Sequence, residues 1–163
     1  MVCPQRYFQT ATTYGSSRSE RITITSMGVD EHLGVPAARG WTNPLIADYF
    51  ADYANYVFSL FGDRVKTWIT INEAISVCDF AYNSGIIAPG IQEPIYGTYL
   101  CNKHILIAHA KAYRIYEKYY RPSQHGKVSF ANNLLWIEPL TPADEELAEL
   151  GLQHSVSLND HVI

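Results

Sequence analysis

The sequence predicts an α/β chain that holds only part of its sheet. Three observations point there. Helical and strand periodicities alternate over residues 40–150, which implies parallel strands joined by right-handed crossovers. Only two strong strands occur in that span, too few for a parallel sheet with both faces and both edges covered. The first of them lies in the run Lys66–Ala74, KTWITINEA, and passes from apolar residues straight into Asn72 and Glu73. In parallel α/β folds the C-terminal strand ends carry the chemistry, because the βα loops open there.

Composition narrows the class. The chain has 163 residues, one domain by length, with 47% hydrophobic and 17% charged residues, so it can build a core and is not globally disordered. Its twelve Tyr fit either a ring- or sugar-binding surface or semi-buried helix faces. A net charge of −4 with no long basic run argues against a nucleic-acid partner. No stretch approaches the ~20 apolar residues of a membrane span. The N-terminal MVCPQRYFQTATTYG lacks an apolar core, so no secretory signal is expected. Cys3, Cys78 and Cys101 are odd in number and scattered, which predicts neither a disulfide framework nor a zinc site. No cofactor is implied.

Residues 1–39 form a separate segment rich in Ser, Thr, Arg and Gly. Glu20–Ser26 (ERITITS) alternates and fits one short strand; the remainder reads as coil. Residues 40–163 carry the organised part. In WTNP, Asn43 suits an N-cap and Pro44 the first helical position. Ile46, Tyr49, Phe50, Tyr53, Val57 and Phe61 then mark one apolar face, and Gly62 closes the helix as a C′ residue. After a turn over Phe61–Arg64, a strand is predicted from Val65 to Ile71. Residues 75–97 hold Gly85, Pro89, Gly90, Pro94 and Gly97 and read as one long connection, a length that is usually functional.

A second helix is predicted over Thr98–Tyr120, with Ile105, Ala108, Ala112, Ile115, Tyr116 and Tyr119 facing inward and Pro122 stopping it. His104 and His109, five apart, share no face well and read as packed or capping side chains rather than metal ligands. A second strand spans Lys127–Ala131, with Val128 and Phe130 before the amides Asn132 and Asn133. Pro142, Asp144, Glu145 and Glu146 open a third helix that Gly151 breaks.

Two readings of Lys66–Ala74 stand on the residues alone. Spacing favours an ordinary strand with a solvated turn at its end. In the other, Glu73 is a carboxyl group in a mostly apolar cleft, whose raised pKa suits proton donation near neutrality.

The blocks from Gly40 to about Leu150 resemble glycoside hydrolase family 1, the β-glucosidase family, and its animal members most. GWTNPLIADYFADYANYVFSLFGDRVKTWITINEA resembles the helix and strand leading to the fourth barrel strand end. YNSGIIAPG resembles the loop after it, YLCNKHILIAHAKAYRIYEKYY the next helix, and GKVSFANNLLWIEPLTPADEELAE the fifth strand and the start of its helix. Several independent blocks keep one order, which makes a chance match improbable. The resemblance implies a fragment of a TIM (β/α)₈ barrel, about strands 4–5 with flanking helices. A complete barrel needs about 250 residues.

By that resemblance Glu73 is the general acid/base of a retaining β-glucosidase, and Asn72 hydrogen-bonds the sugar 2-hydroxyl of a small β-glycoside substrate. Ala74 stands where the family usually has Pro. The family's nucleophile lies in a Thr-Glu-Asn-Gly-like motif that does not occur in these residues. The family's glycone-binding Gln and His have no match before Gly40; His32 lacks their context. Glu93 and Glu138 sit beside prolines and do not match the nucleophile. No metal is implied. Many family members are secreted, so the compartment stays open. Two classes of function follow: a β-glucosidase-type hydrolase represented in part and inactive as this chain alone, or a truncated remnant that binds sugar or protein weakly.

Overall fold

A computed structural model of the chain describes residues 11–14, 20–24, 40–133 and 135–160, with side chains over 40–133 and 135–154. The chain divides into two compact units, Met1–Ala131 and Asn132–Ile163.

The first unit is built on a four-stranded sheet in the order β1-β2-β3-β4. Strands β1 (Ala11–Tyr14) and β2 (Glu20–Ile24) pair antiparallel, Ala11 against Ile24. Strand β3 (Val65–Asn72) runs parallel to β2 and to β4 (Lys127–Ala131). The parallel β3–β4 pair is the arrangement the helix–strand alternation predicts. Strand β2 falls where ERITITS alternates, but Ala11–Tyr14 is a strand where the sequence reads as coil. Cys3, His32 and the rest of the predicted coil lie outside the described residues.

Helix α1 (Ile46–Phe61) packs on the next long helix and buries Ile46, Ala47, Phe50, Ala51, Ala54, Val57 and Phe58. Tyr49 and Phe61 are exposed instead. The stripe is rotated because three alanines lie on it; a count of large residues overlooks small ones. The helix begins later than predicted. Gly40–Thr42 forms a short 3₁₀ turn, and the Asn43 Oδ1 accepts the Leu45 N–H at 3.0 Å, so Asn43 caps a local turn and α1 starts at Ile46. Gly62 ends α1 in right-handed conformation, φ −70°, rather than as a left-handed C′ residue. A Cβ there would meet the end of the Gln124 side chain, whose Nε2 donates to Phe58 O at 3.0 Å, so glycine leaves room for that bond.

The predicted long connection is helical in its first part. Helix α2 (Ala74–Cys78) continues into a π turn, Asp79–Asn83. The following irregular stretch folds back on that turn, with Ile91 N–H bonded to Ala81 O at 3.0 Å and Glu93 N–H to Tyr82 O at 2.7 Å. Helix α3 (Tyr96–Ile115) buries Cys101, His104, Ile105, Ala108 and Ala112. Tyr116 is buried as predicted and Ile115 partly so, while Tyr119 is exposed. Pro122 does not stop the helix. A π turn over Tyr116–Tyr120 precedes α4 (Arg121–Gln124), and Pro122 sits in the first turn of α4, where no N–H is needed.

The centre of the core is aromatic. Phe58 meets Trp68 and Tyr116 edge-on at centroid distances of 5.1 and 4.9 Å, and Tyr120 at 5.8 Å. Such pairs contribute about 0.5–1.5 kcal/mol each beyond their buried area.

In the second unit a 3₁₀ turn (Pro142–Asp144) leads into α5 (Glu145–Asp160). Thr141 and Asp144 form a capping box, Thr141 N–H donating to Asp144 Oδ2 at 3.0 Å. The helix runs through Gly151 rather than breaking. A Cβ there would lie 2.8 Å from Ile137 Cδ1, so glycine serves packing at some cost in helix propensity.

Candidate active site

Strand β3 changes character along its length. From Thr67 to Ile69 it pairs residue for residue with Lys127 to Ser129. The next partners are Asn72 and Ala131, so three steps on β3 oppose two on β4. This is a bulge, which bends a strand and re-aims the side chains beyond it. Thr70, inside the bulge, is fully buried; its Oγ1 donates to Ser129 O at 3.2 Å and lies 2.7 Å from His109 Nδ1.

Asn72 and Glu73 emerge directly after the bulge. Glu73 is left-handed, φ 52° and ψ 54°, a conformation uncommon outside glycine and enriched at functional sites. Two backbone bonds hold it: its N–H donates to Ala131 O at 2.7 Å, and its carbonyl accepts Val77 N–H at 2.9 Å as α2 begins. Asn72 is exposed and Glu73 half-buried, so the pair stands at an open strand end rather than inside a closed apolar cleft. Among the described residues neither side chain makes a hydrogen bond or ion pair. An amide and a carboxylate on a fixed backbone at an open strand end can together donate and accept hydrogen bonds to a polar ligand.

Behind Glu73, α2 is bonded covalently to α3. Cys78 and Cys101 form a disulfide between Cα atoms 5.7 Å apart, with both residues fully buried. This corrects the expectation of no disulfide from scattered cysteines. The chain between the two, which lie 23 positions apart, folds back on itself, a proximity that sequence spacing does not express. Both histidines are packed. His104 Nδ1 donates to Trp41 O at 2.8 Å, while Trp41 N–H donates to Tyr82 Oη at 2.6 Å. Burial raises the Tyr82 phenol to about 12, against the lowering effect of hydrogen bonds from the Trp41 and Thr42 backbone. Burial pushes the His109 ring below its usual value.

Of the other carboxylates singled out in the sequence, Glu93 belongs to the fold-back of the loop, its N–H bonded to Tyr82 O, and Glu138 accepts Trp136 Nε1–H at 3.0 Å within the second unit. The sequence reading of His109 as packed or capping holds, but its pairing with Thr70 is not legible there: a threonine in a β-branched run reads as strand former, and nothing in spacing joins it to a histidine 39 residues on.

The model of glycosyl hydrolase family 1 matches residues 22–161. The chain belongs to that family. Among its relatives, Myrosinase 1 of Brevicoryne brassicae is 46% identical over 100 residues, which cover 61% of this chain and 21% of that protein. The solved structure of aphid myrosinase superposes with a TM-score of 0.66 at 40% identity, covering 80% of this chain and 29% of the other. A β-glucosidase from Thermotoga maritima, solved with glucoimidazole, gives 0.64 at 32% identity, over 79% of this chain and 28% of the other. These neighbours are TIM-barrel family 1 glycosidases, and the small parallel sheet with its helices is consistent with a part of that fold. The chain spans between a fifth and three-tenths of the lengths of these relatives. The family match begins within β2, ahead of Gly40. No described helix is long and apolar enough to cross a membrane.

Proposed function

We propose that this chain carries the proton-donor side of a retaining β-glycosidase centre, built on barrel strands 4 and 5, here β3 and β4. Glu73 is the general acid/base. It protonates the departing glycosidic oxygen and then takes a proton from the water that attacks the anomeric carbon. Asn72 holds the 2-hydroxyl of the sugar, a contact that strengthens in the transition state. The substrate is a small-molecule β-glycoside. The observation that carries this reading is the left-handed Glu73 at the C-terminal end of a bulged parallel strand, its half-buried carboxylate without a hydrogen bond or ion pair among the described residues.

Retaining chemistry needs a second carboxylate about 5–5.5 Å from the first. No residue here matches the family's nucleophile, so the 163-residue chain alone is inactive and catalysis needs a carboxylate from outside it. Strand β4 pairs only with β3 among the described residues, which supports a sheet continued by further strands. The test compares the 163-residue chain with one extended by a Thr-Glu-Asn-Gly block and its barrel context, on an activated aryl β-glucoside. Turnover by the extended chain only is the expected result. Robust turnover by the short chain, lost on Glu73→Gln, would place a second carboxylate within these residues.

A further inference from the structure

The bulge in β3 has a side-chain fastening of its own. Thr70 Oγ1 touches two acceptor-capable groups, Ser129 O at 3.2 Å and His109 Nδ1 at 2.7 Å. A hydroxyl has one proton and two lone pairs. Both contacts are satisfied together only as a chain in which His109 Nδ1–H donates to Thr70 Oγ1, and Thr70 O–H donates to Ser129 O. His109 reaches in from α3, half-buried, with its ring edge-on to Phe130 of β4 at 5.3 Å and 69°. One threonine thereby ties β3 to β4 and to the covering helix at the place where the strand register slips. Ser129 is two residues before Ala131, whose carbonyl holds the Glu73 N–H.

We propose that Thr70 and His109 are positioning residues: the relay His109 Nδ1–H to Thr70 to Ser129 O holds the β3 bulge in the register that delivers Asn72 and Glu73 to the strand end. Its use in catalysis rests on the reading of Glu73 as proton donor; the geometry does not. Two signatures follow. His109 carries its proton on Nδ1, the less common tautomer of a free imidazole. The Glu73 amide owes its protection to the relay, while amides in α1 do not.

The experiment is NMR on the intact 163-residue chain, reading His109 ring ¹⁵N shifts and amide exchange at Glu73 and Phe58. Thr70→Val keeps the shape and removes the hydroxyl; it should move His109 toward the Nε2–H tautomer and lower protection at Glu73 by about tenfold, with Phe58 unchanged. Thr70→Ser should restore both signatures. Should Thr70→Val fail to fold, His109→Leu against His109→Asn, which keeps a donor near the Nδ1 position, makes the comparison through protection at Glu73 against Phe58, with the tautomer read in the wild-type chain. Unchanged protection at Glu73, an equal fall at Phe58, or an Nε2–H tautomer in the wild-type chain would overturn the proposal. An inactive extended enzyme with both signatures intact would instead count against the glycosidase reading alone.

Discussion

The two ends of strand β3 differ in almost every physical respect. At its beginning, Val65 and Trp68 are fully buried, Trp68 lies edge-on to Phe58 of α1, and the pairing with β4 is regular. Lys66 Nζ there binds Gly62 O at 3.2 Å and Gln124 O at 2.8 Å, placing a cation on the C-terminal carbonyls of two helices. At its far end the register slips, a buried hydroxyl replaces regular pairing, and the chain leaves through a left-handed glutamate beside an exposed asparagine. One end is packed for stability. The other accepts strain to present two polar side chains, and the change takes place within four positions, from Trp68 to Asn72.

Substitutions can break or sharpen this contrast. The largest effect is expected at the packed end. Phe58→Ala removes three edge-on aromatic contacts from a fully buried site and should cost about 3–5 kcal/mol, seen as a large fall in the urea midpoint. A cost below about 1 kcal/mol would move the seat of stability elsewhere.

Next comes the disulfide, which braces the open end from behind. Replacing Cys78 and Cys101 together with alanine should lower stability by about 3 kcal/mol at an unchanged Phe58 core, measured by denaturation of oxidised and variant chains. Disulfides of this kind persist in oxidising compartments, so expression in a reducing cytosol should yield the weaker form.

At the open end the sign should reverse. Glu73→Gly relieves a left-handed residue and should stabilise the chain by about 1 kcal/mol, or a few degrees in Tm. A destabilising result would show that the Glu73 side chain supports the fold rather than function.

The smallest effect is titration at the bulge. Burial lowers the His109 pKa, so the unfolded chain binds a proton that the folded chain resists. The His109 contribution to stability is therefore full above about pH 6.5 and is lost as pH falls toward the folded value. The His109→Asn variant should lack this part of the acid sensitivity between pH 8 and 5.5. Tyr82 behaves oppositely at the alkaline side. Its raised pKa leaves its contribution intact below about pH 10, to be lost as pH rises toward about 12.

The contrast between strand ends also sorts what the sequence made legible. Both parallel strands, two long helices, the start of a third and the polar pair Asn72–Glu73 at a strand end could be read from it, because periodicity and a polar pair at a strand terminus are local signals. The stripe of α1 was read one step off, since Ala47, Ala51 and Ala54 carry little hydrophobic signal yet are buried. Gly62, Pro122 and Gly151 were read by their usual backbone roles. Gly62 and Gly151 answer to neighbours instead, Gln124 and Ile137, and Pro122 sits in a new first turn after a π turn. Cys78–Cys101 and Thr70–His109 join residues 23 and 39 apart, and only the folded backbone brings them together.

The central claim is that Glu73 donates the proton at the departing oxygen, and leaving-group dependence tests it most directly. In an extended chain that restores the second carboxylate, Glu73→Gln should lower turnover of β-glucosides with poor leaving groups by about 10²–10⁴-fold. Glycosyl-enzyme formation from an activated aryl β-glucoside, whose leaving group needs little protonation, should persist. An equal loss on both substrates, or no loss on either, would contradict the assignment.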